Sequence, residues 1–179
     1  LVRVRSLLLA AALAFPLLPI GVVAGPAAPA TAAPATTAAF VPLPSPVRLL
    51  DNRATGPVLG GATASITVTG AAPLPAPGAT VAVVLNVTVV GPATAGYWTV
   101  WPHDSARPNA SNVNIDEQAA LRGGALAVPN LVTVPVGPSG IVDVFSEQGG
   151  YLIVDMLGYY APAATASAGR FAPLASPLR

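Results

Sequence analysis

The 179 residues hold eight arginines, no lysine, seven carboxylates and one histidine, so only 8% of the chain is charged and its net charge is +1. Without Arg3 and Arg5 at the N-terminus, six arginines face seven carboxylates, a net of −1, and such a balance offers no footprint to nucleic acid or anionic lipid. Cysteine is absent, which excludes a disulfide scaffold, thiol catalysis and zinc–thiolate sites.

Residues 1 to 30 read as an export signal: Arg3 and Arg5 form a basic front, and Leu7 to Val23 an apolar middle. Pro16 and Pro19 interrupt that middle, which makes it poor as an uncleaved transmembrane anchor, the alternative reading. Small-residue cleavage patterns occur at Val22-Val23-Ala24 and Ala28-Pro29-Ala30. Residues 31 to 39 continue an Ala/Pro/Thr run that cannot bury a core and suits an extended linker or the start of the mature chain.

Folded sequence is expected from Phe40 to Tyr160. Strands are predicted at Val47 to Leu50, Ala64 to Thr69, Thr80 to Val90, Tyr97 to Trp101, Ser111 to Ile115, Leu131 to Val136, Ile141 to Ser146 and Tyr151 to Tyr160. Turn signals separate them, among them Gly60-Gly61, Pro73 to Gly78, Gly91-Pro92, Gly137 to Gly140 and Gly149-Gly150. Glu117 to Leu126 has room for one or two turns of helix. The clearest strand is Thr80 to Val90. Alternation puts Val81, Val83, Leu85, Val87 and Val89 on one face, and Ala82, Val84, Asn86, Thr88 and Val90 on the other. One wholly apolar face and one mixed face belong to an antiparallel sheet covered on one side. The fold class that follows is all-β: an antiparallel β-sandwich, jelly-roll or Ig-like, of about eight strands.

Phe40 to Arg48 reads FVPLPSPVR and Phe171 to Arg179 reads FAPLASPLR, six identities in nine at an offset of 131 residues. That offset is the size of a domain, so the repeat argues for modules in tandem. Residues 161 to 169 then serve as a linker, and 170 to 179 begin a second, truncated repeat.

Six segments in order carry a resemblance: RLLDNR (Arg48 to Arg53), VVLNVTV (Val83 to Val89), GYWTVWP (Gly96 to Pro102), RPNASNVN (Arg107 to Asn114), NLVTVPVG (Asn130 to Gly137) and LIVDMLGYY (Leu152 to Tyr160). Together they resemble a β-rich module repeated in secreted and cell-surface proteins of actinobacteria. The resemblance covers Phe40 to Tyr160 and implies an extracellular accessory module, found in tandem or beside catalytic domains such as peptidases and wall hydrolases, with no catalytic residues of its own. Asn52 stands where that module usually has Thr, and Glu117 to Val128 is longer than its usual polar turn.

Candidate site residues come from four groups. His103 is the sole histidine, so a Ser-His-Asp hydrolase would have to use it, and no GxSxG elbow accompanies it. Neither a cofactor nor a metal site is expected. Asp51, Asn52 and Arg53 form the sharpest polar cluster. They either cradle a sugar or a calcium ion, or make a turn in which Arg53 pairs with Asp51 or with Asp155. Asp155 shares a strand face with Tyr151, Ile153, Leu157 and Tyr159 and needs a partner if buried, for which Arg53 is the candidate. Asn86, Asn112 and Asn114 are expected to be structural amides tying strand to loop. Tyr97 and Trp101 fall on one face of their strand and Trp98 with Val100 on the other, so either one pair is exposed and can stack on a sugar ring, or both sets are buried between the sheets as large aromatics usually are.

The expected function is a non-catalytic secreted module for cell-wall or surface attachment or spacing. The alternative is a carbohydrate- or substrate-binding module that recruits for a hydrolase elsewhere in the full protein. Expected partners are a cell-wall glycan or polysaccharide and neighbouring domains of the same chain, with no nucleic acid and no membrane contact once the signal is removed.

Overall fold

The computed structural model describes residues 38–163, apart from 71, 93 and 123–125. The expected signal, the linkers on either side of the module and the second copy of the nonapeptide lie outside the described residues, except where strands run on into the linkers. The elements are β1 (Ala38–Asp51), β2 (Thr63–Thr67), β3 (Ala82–Val90), β4 (Gly96–Pro102), β5 (Val113–Ile115), α1 (Glu117–Ala120), β6 (Ala127–Pro135), β7 (Ile141–Ser146) and β8 (Tyr151–Pro162).

They form two four-stranded antiparallel sheets, ordered β1-β8-β3-β6 and β2-β7-β4-β5. Neighbours within each sheet include β1 with β8, β2 with β7, β3 with β6, and β4 with β5. This nesting describes a chain folded into one long hairpin with its tip at β4 and β5, then rolled so that successive strand pairs alternate between sheets. The all-β sandwich of about eight strands is therefore present, and its wiring is the jelly roll. The Ig-like alternative is set aside, because an Ig sandwich distributes its strands as ABED and CFG.

The core follows from β3. Val83, Leu85, Val87 and Val89 are all fully buried, and they share one hydrophobic cluster with Trp98, Val100, Val142, Val144, Leu152, Val154 and Met156. Burying each such aliphatic chain is worth roughly 1.5–3 kcal/mol. Val81 falls just before the strand; its N–H donates to the Tyr160 carbonyl, and its own carbonyl accepts from Val136. The second face of β3 is more covered than its composition suggests at one end, where Ala82 and Val84 are buried, and is half-buried at Asn86, Thr88 and Val90.

One irregularity of β8 changes which residues share a face. Its register against β3 shifts between Val84, opposite Gly158, and Leu85, opposite Met156, so Leu157 is the extra residue of a bulge. Tyr159 consequently stands opposite Val83 and packs on the core, whereas Asp155 stands opposite Asn86 on the outer face. Strict alternation would have kept Asp155 and Tyr159 together. At the same level β1 skips from Pro42, opposite Gly158, to Val47, opposite Met156. The skipped stretch includes Pro44 and Pro46, which have no N–H to give to a ladder.

β1 begins at Ala38 and β8 ends at Pro162, which pair with each other, so both strands extend two residues beyond the expected module. Phe40 lies opposite Tyr160, with ring centroids 5.3 Å apart. The Phe40 ring covers Gly158, where an added Cβ would sit 2.6 Å from two ring atoms and 2.8 Å from the Val41 carbonyl oxygen. Only glycine leaves room for that approach.

The expected helical turn is α1, one turn long. Asp116 caps it, accepting from the Ala119 N–H at 2.6 Å. Among the described residues no helix is long and apolar enough to cross a membrane.

Candidate functional site

Two outer sheet faces carry the polar side chains singled out from the sequence. On the β1-β8-β3-β6 sheet, four charged groups are linked in a row. Arg48 pairs with Asp155 and, at 2.8 Å, with Asp51. Arg53 grips Asp51 with its Nε at 2.8 Å and its Nη2 at 2.6 Å, and its backbone N–H adds a third bond. The partner of Asp155 is thus Arg48 and not Arg53, because Arg48 faces Asp155 directly in the β1/β8 register. Foremost the Arg53 side chain, and then its backbone N–H and the nearby charges, hold the Asp51 carboxyl down at about 2.

Both Asp51 oxygens are engaged by guanidinium or backbone donors, which is the Arg53–Asp51 pairing of the turn reading, and a shallow hollow lies against Asp51, Arg53 and Ala54. Two guanidinium groups on one carboxylate also repel a calcium ion. Among the described residues no group of three or more His, Cys, Asp or Glu side chains could hold a metal. Asn52, between these two, is buried; its Oδ1 accepts from the Leu152 N–H at 2.7 Å, and its carbonyl accepts from the Thr55 and Gly56 N–H groups. It ends β1 and fastens the following turn to β8.

Asn86 is half-buried on the same outer face, and its amide donates to the Thr88 hydroxyl at 3.5 Å along its own strand, so it ties no loop. Asn112 does tie loop to strand. Its Oδ1 accepts from the Val100 N–H at 2.6 Å and its own N–H donates to the Trp98 carbonyl at 2.8 Å, which extends the β4/β5 ladder beyond Val113. The Asn130 amide donates to the Asn112 carbonyl, bringing β6 to the same loop. Asn114 is exposed on β5, opposite Tyr97.

On the β2-β7-β4-β5 sheet, alternation along β4 sends Trp98 and Val100 into the core and Tyr97, Thr99 and Trp101 outward. Trp101 is nevertheless only 7% exposed, because the loop from residue 103 to 112 folds back across it. Its Nε1 donates to the Ser105 carbonyl at 3.1 Å, and the Thr99 hydroxyl donates to the Ala110 carbonyl at 2.6 Å. Trp101 therefore presents no open ring for stacking: of the two readings the sequence allows, burial holds for Trp101, and it is no partner to Tyr97 at a surface. Tyr97 alone of that pair remains partly open.

Beside Tyr97 the folded-back loop leaves a cleft of about 240 Å³, lined by Tyr97, Thr99, Arg107, Pro108, Asn109 and Ala110. Phe145 on β7 lies beside it, against two of the lining residues. The Tyr97 and Phe145 rings lie 6.1 Å apart at 45°, and the Arg107 guanidinium sits 3.6 Å over the Phe145 ring. At this exposed position such a contact contributes about 0.5–1 kcal/mol and restrains the guanidinium.

Next to the cleft runs a second polar chain. The Ser65 hydroxyl donates to Asp143 Oδ1 at 2.7 Å, and His103 Nδ1 lies 3.0 and 3.1 Å from the two Asp143 oxygens. Asp143 is buried and stands between Ser65 on β2 and Trp101 on β4. The order is serine, carboxylate, histidine. A nucleophilic triad needs the histidine in the middle, where its ring nitrogen takes the serine proton. Here the serine proton goes to the carboxylate, and the chain ties β2, β7 and the loop together. Asp104, one residue on, accepts from the Ser139 N–H at 3.0 Å and the Ser139 hydroxyl at 2.7 Å, which hold its carboxyl below the usual range.

No protein-family model, curated protein or solved structure matches the chain.

The cleft thus joins one expected residue, Tyr97, to two not expected in a site, Arg107 and Asn109, with Phe145 packed behind Tyr97 and Arg107. A signal for Phe145 was present. In Ile141 to Ser146 the inward positions are Val142, Val144 and Ser146, so Asp143 and Phe145 share the outward face. Nothing local announced that a ten-residue loop would return to cover that face.

Proposed function

We propose that this domain is a non-catalytic extracellular binding module that attaches its chain to a cell-wall glycan through the cleft beside Tyr97. The observation that carries the reading is the cleft itself: an aromatic ring on β4 and, from the loop folded back beside it, a proline and a ring-stacked guanidinium around one amide. Such a mix suits a sugar, whose C–H faces pack on apolar plates while its hydroxyls need amide and guanidinium partners. The order of partners around Asp143 supports the non-catalytic part, since Ser65 has no base to activate it. The resemblance to repeated modules of secreted and cell-surface proteins points the same way. Where a hydrolase domain adjoins the module in the full protein, the same grip serves substrate recruitment.

The test is co-sedimentation of the purified protein with insoluble peptidoglycan and a panel of polysaccharides. Retention that is lost in Tyr97→Ala and Asn109→Ala, with their unfolding transitions unchanged, is the expected result. A protein retained by none of them is a spacer and not a binding module, and hydrolysis of any of them by the pure protein contradicts the non-catalytic reading.

A further inference from the structure

We propose that the cleft selects a saccharide bearing a carboxylate, with Arg107 as the residue that receives it. This rests on the glycan-binding reading above and narrows its ligand class.

Arg48 and Arg53 are both engaged by Asp51 or Asp155 at the far sheet. Arg107 forms no ion pair among the described residues, although two carboxylates lie on the elements that build its cleft. Asp143 gives its oxygens to Ser65 and His103, and Asp104 accepts from Ser139 through Oδ2. The acids around the loop are thus committed to holding the loop down, and Arg107 is left as an uncompensated cation at the cleft wall.

Its posture also matters. Held 3.6 Å over the Phe145 ring, the guanidinium is restricted in the rotations a free arginine would have to give up on binding, which lowers the cost of presenting its planar fork. A fork of parallel N–H groups matches the two oxygens of a carboxylate, and such pairs are roughly twice as strong as neutral hydrogen bonds. A neutral sugar hydroxyl would use only one of them. Around that fork, Tyr97 and Pro108 supply apolar plates and Asn109 an amide that both donates and accepts. At about 240 Å³ the cleft falls below the roughly 300–1,000 Å³ of sites that enclose a whole ligand, so it admits about one sugar unit of a longer polymer.

The experiment measures affinity of the purified protein for oligogalacturonate and oligomannuronate, for neutral cello- and laminari-oligosaccharides, and for dextran sulfate as a control for charge alone. The expected result is preference for the uronates over both other classes. Arg107→Lys keeps the charge but not the fork, and is expected to lose at least about tenfold in uronate affinity, as is Arg107→Gln. Both variants change an exposed side chain, and an unaltered unfolding transition confirms that the fold is intact. Neutral oligosaccharides bound as tightly as uronates, or an Arg107→Lys protein with unchanged affinity, overturn the carboxylate assignment and leave glycan binding standing. Dextran sulfate bound as tightly as uronates overturns it too, since charge alone then suffices. Binding to no saccharide at all overturns the glycan-binding reading itself.

Discussion

Leu85→Ala tests the packing on which the sandwich depends. Leu85 is fully buried, stands opposite Met156 on one side and Val132 on the other, and belongs to the cluster that joins the two sheets. Replacing its isobutyl side chain by methyl removes three carbons, worth roughly 0.8 kcal/mol each in transfer free energy. A cavity term adds to this, because strands fixed on both flanks by ladder bonds cannot close the gap. Leucine-to-alanine changes at buried sites cost about 2–5 kcal/mol, and this site belongs in the upper half of that range, at about 3–4 kcal/mol. A domain of this size loses on the order of 3–5 °C of melting temperature per kcal/mol, so the midpoint falls by about 10–15 °C. Trp98, also fully buried, reports the transition by its fluorescence during urea or thermal unfolding. The control is Thr88→Ala on the half-buried opposite face, expected to cost under about 1 kcal/mol. Equal losses in the two variants would refute the assignment of β3 faces and with it the facing of the sheets.

Gly158→Ala places a methyl group against the Phe40 ring and the Val41 carbonyl, and the second of these is backbone. The strand β1 must move, so a loss of about 1–3 kcal/mol is expected in urea unfolding, and Phe40→Ala in the same chain recovers only part of it; full recovery would show that the ring alone sets the space. Acid titration followed by carboxyl NMR is expected to find Asp51 half-protonated near pH 2. Its folded-state pKa lies below the ordinary 3.8, so the stabilisation is fully present above pH 4 and is lost as the pH falls toward 2. Arg53→Ala moves that midpoint back toward 3.8, and a midpoint that stays near 2 would assign the effect elsewhere. Asn112→Ala leaves the Val100 N–H without its acceptor and is expected to cost about 1–3 kcal/mol, with faster amide exchange at Val100; unchanged exchange would show that the loop holds without that amide.

The strands were legible where burial is one-sided. The valines of β3 announce themselves through a period of two, and the glycine and proline clusters mark the turns between strands. The sheet order was not legible, since β1 and β8 pair across more than a hundred residues and either of two sandwich wirings satisfies the same alternation. Two local misreadings have physical causes. The bulge at Leu157 reverses the faces beyond it, and the β1/β8 register decides that Arg48 and not Arg53 meets Asp155. The strand alone does not decide whether Trp101 is exposed; a loop held by Asn112, Thr99 and Ser105 covers it. That loop is also why Arg107 escaped notice: its meaning comes from Phe145, 38 positions further along the chain.

The most direct measurement maps amide chemical shifts of the isotope-labelled protein as trigalacturonate is added. Progressive, saturable shifts at Tyr97, Arg107, Asn109 and Phe145, with Asp51, Arg53 and Ile153 on the other sheet unmoved, are the predicted result. Shifts confined to the Asp51 and Arg53 face, or none at saturating sugar, would contradict the account.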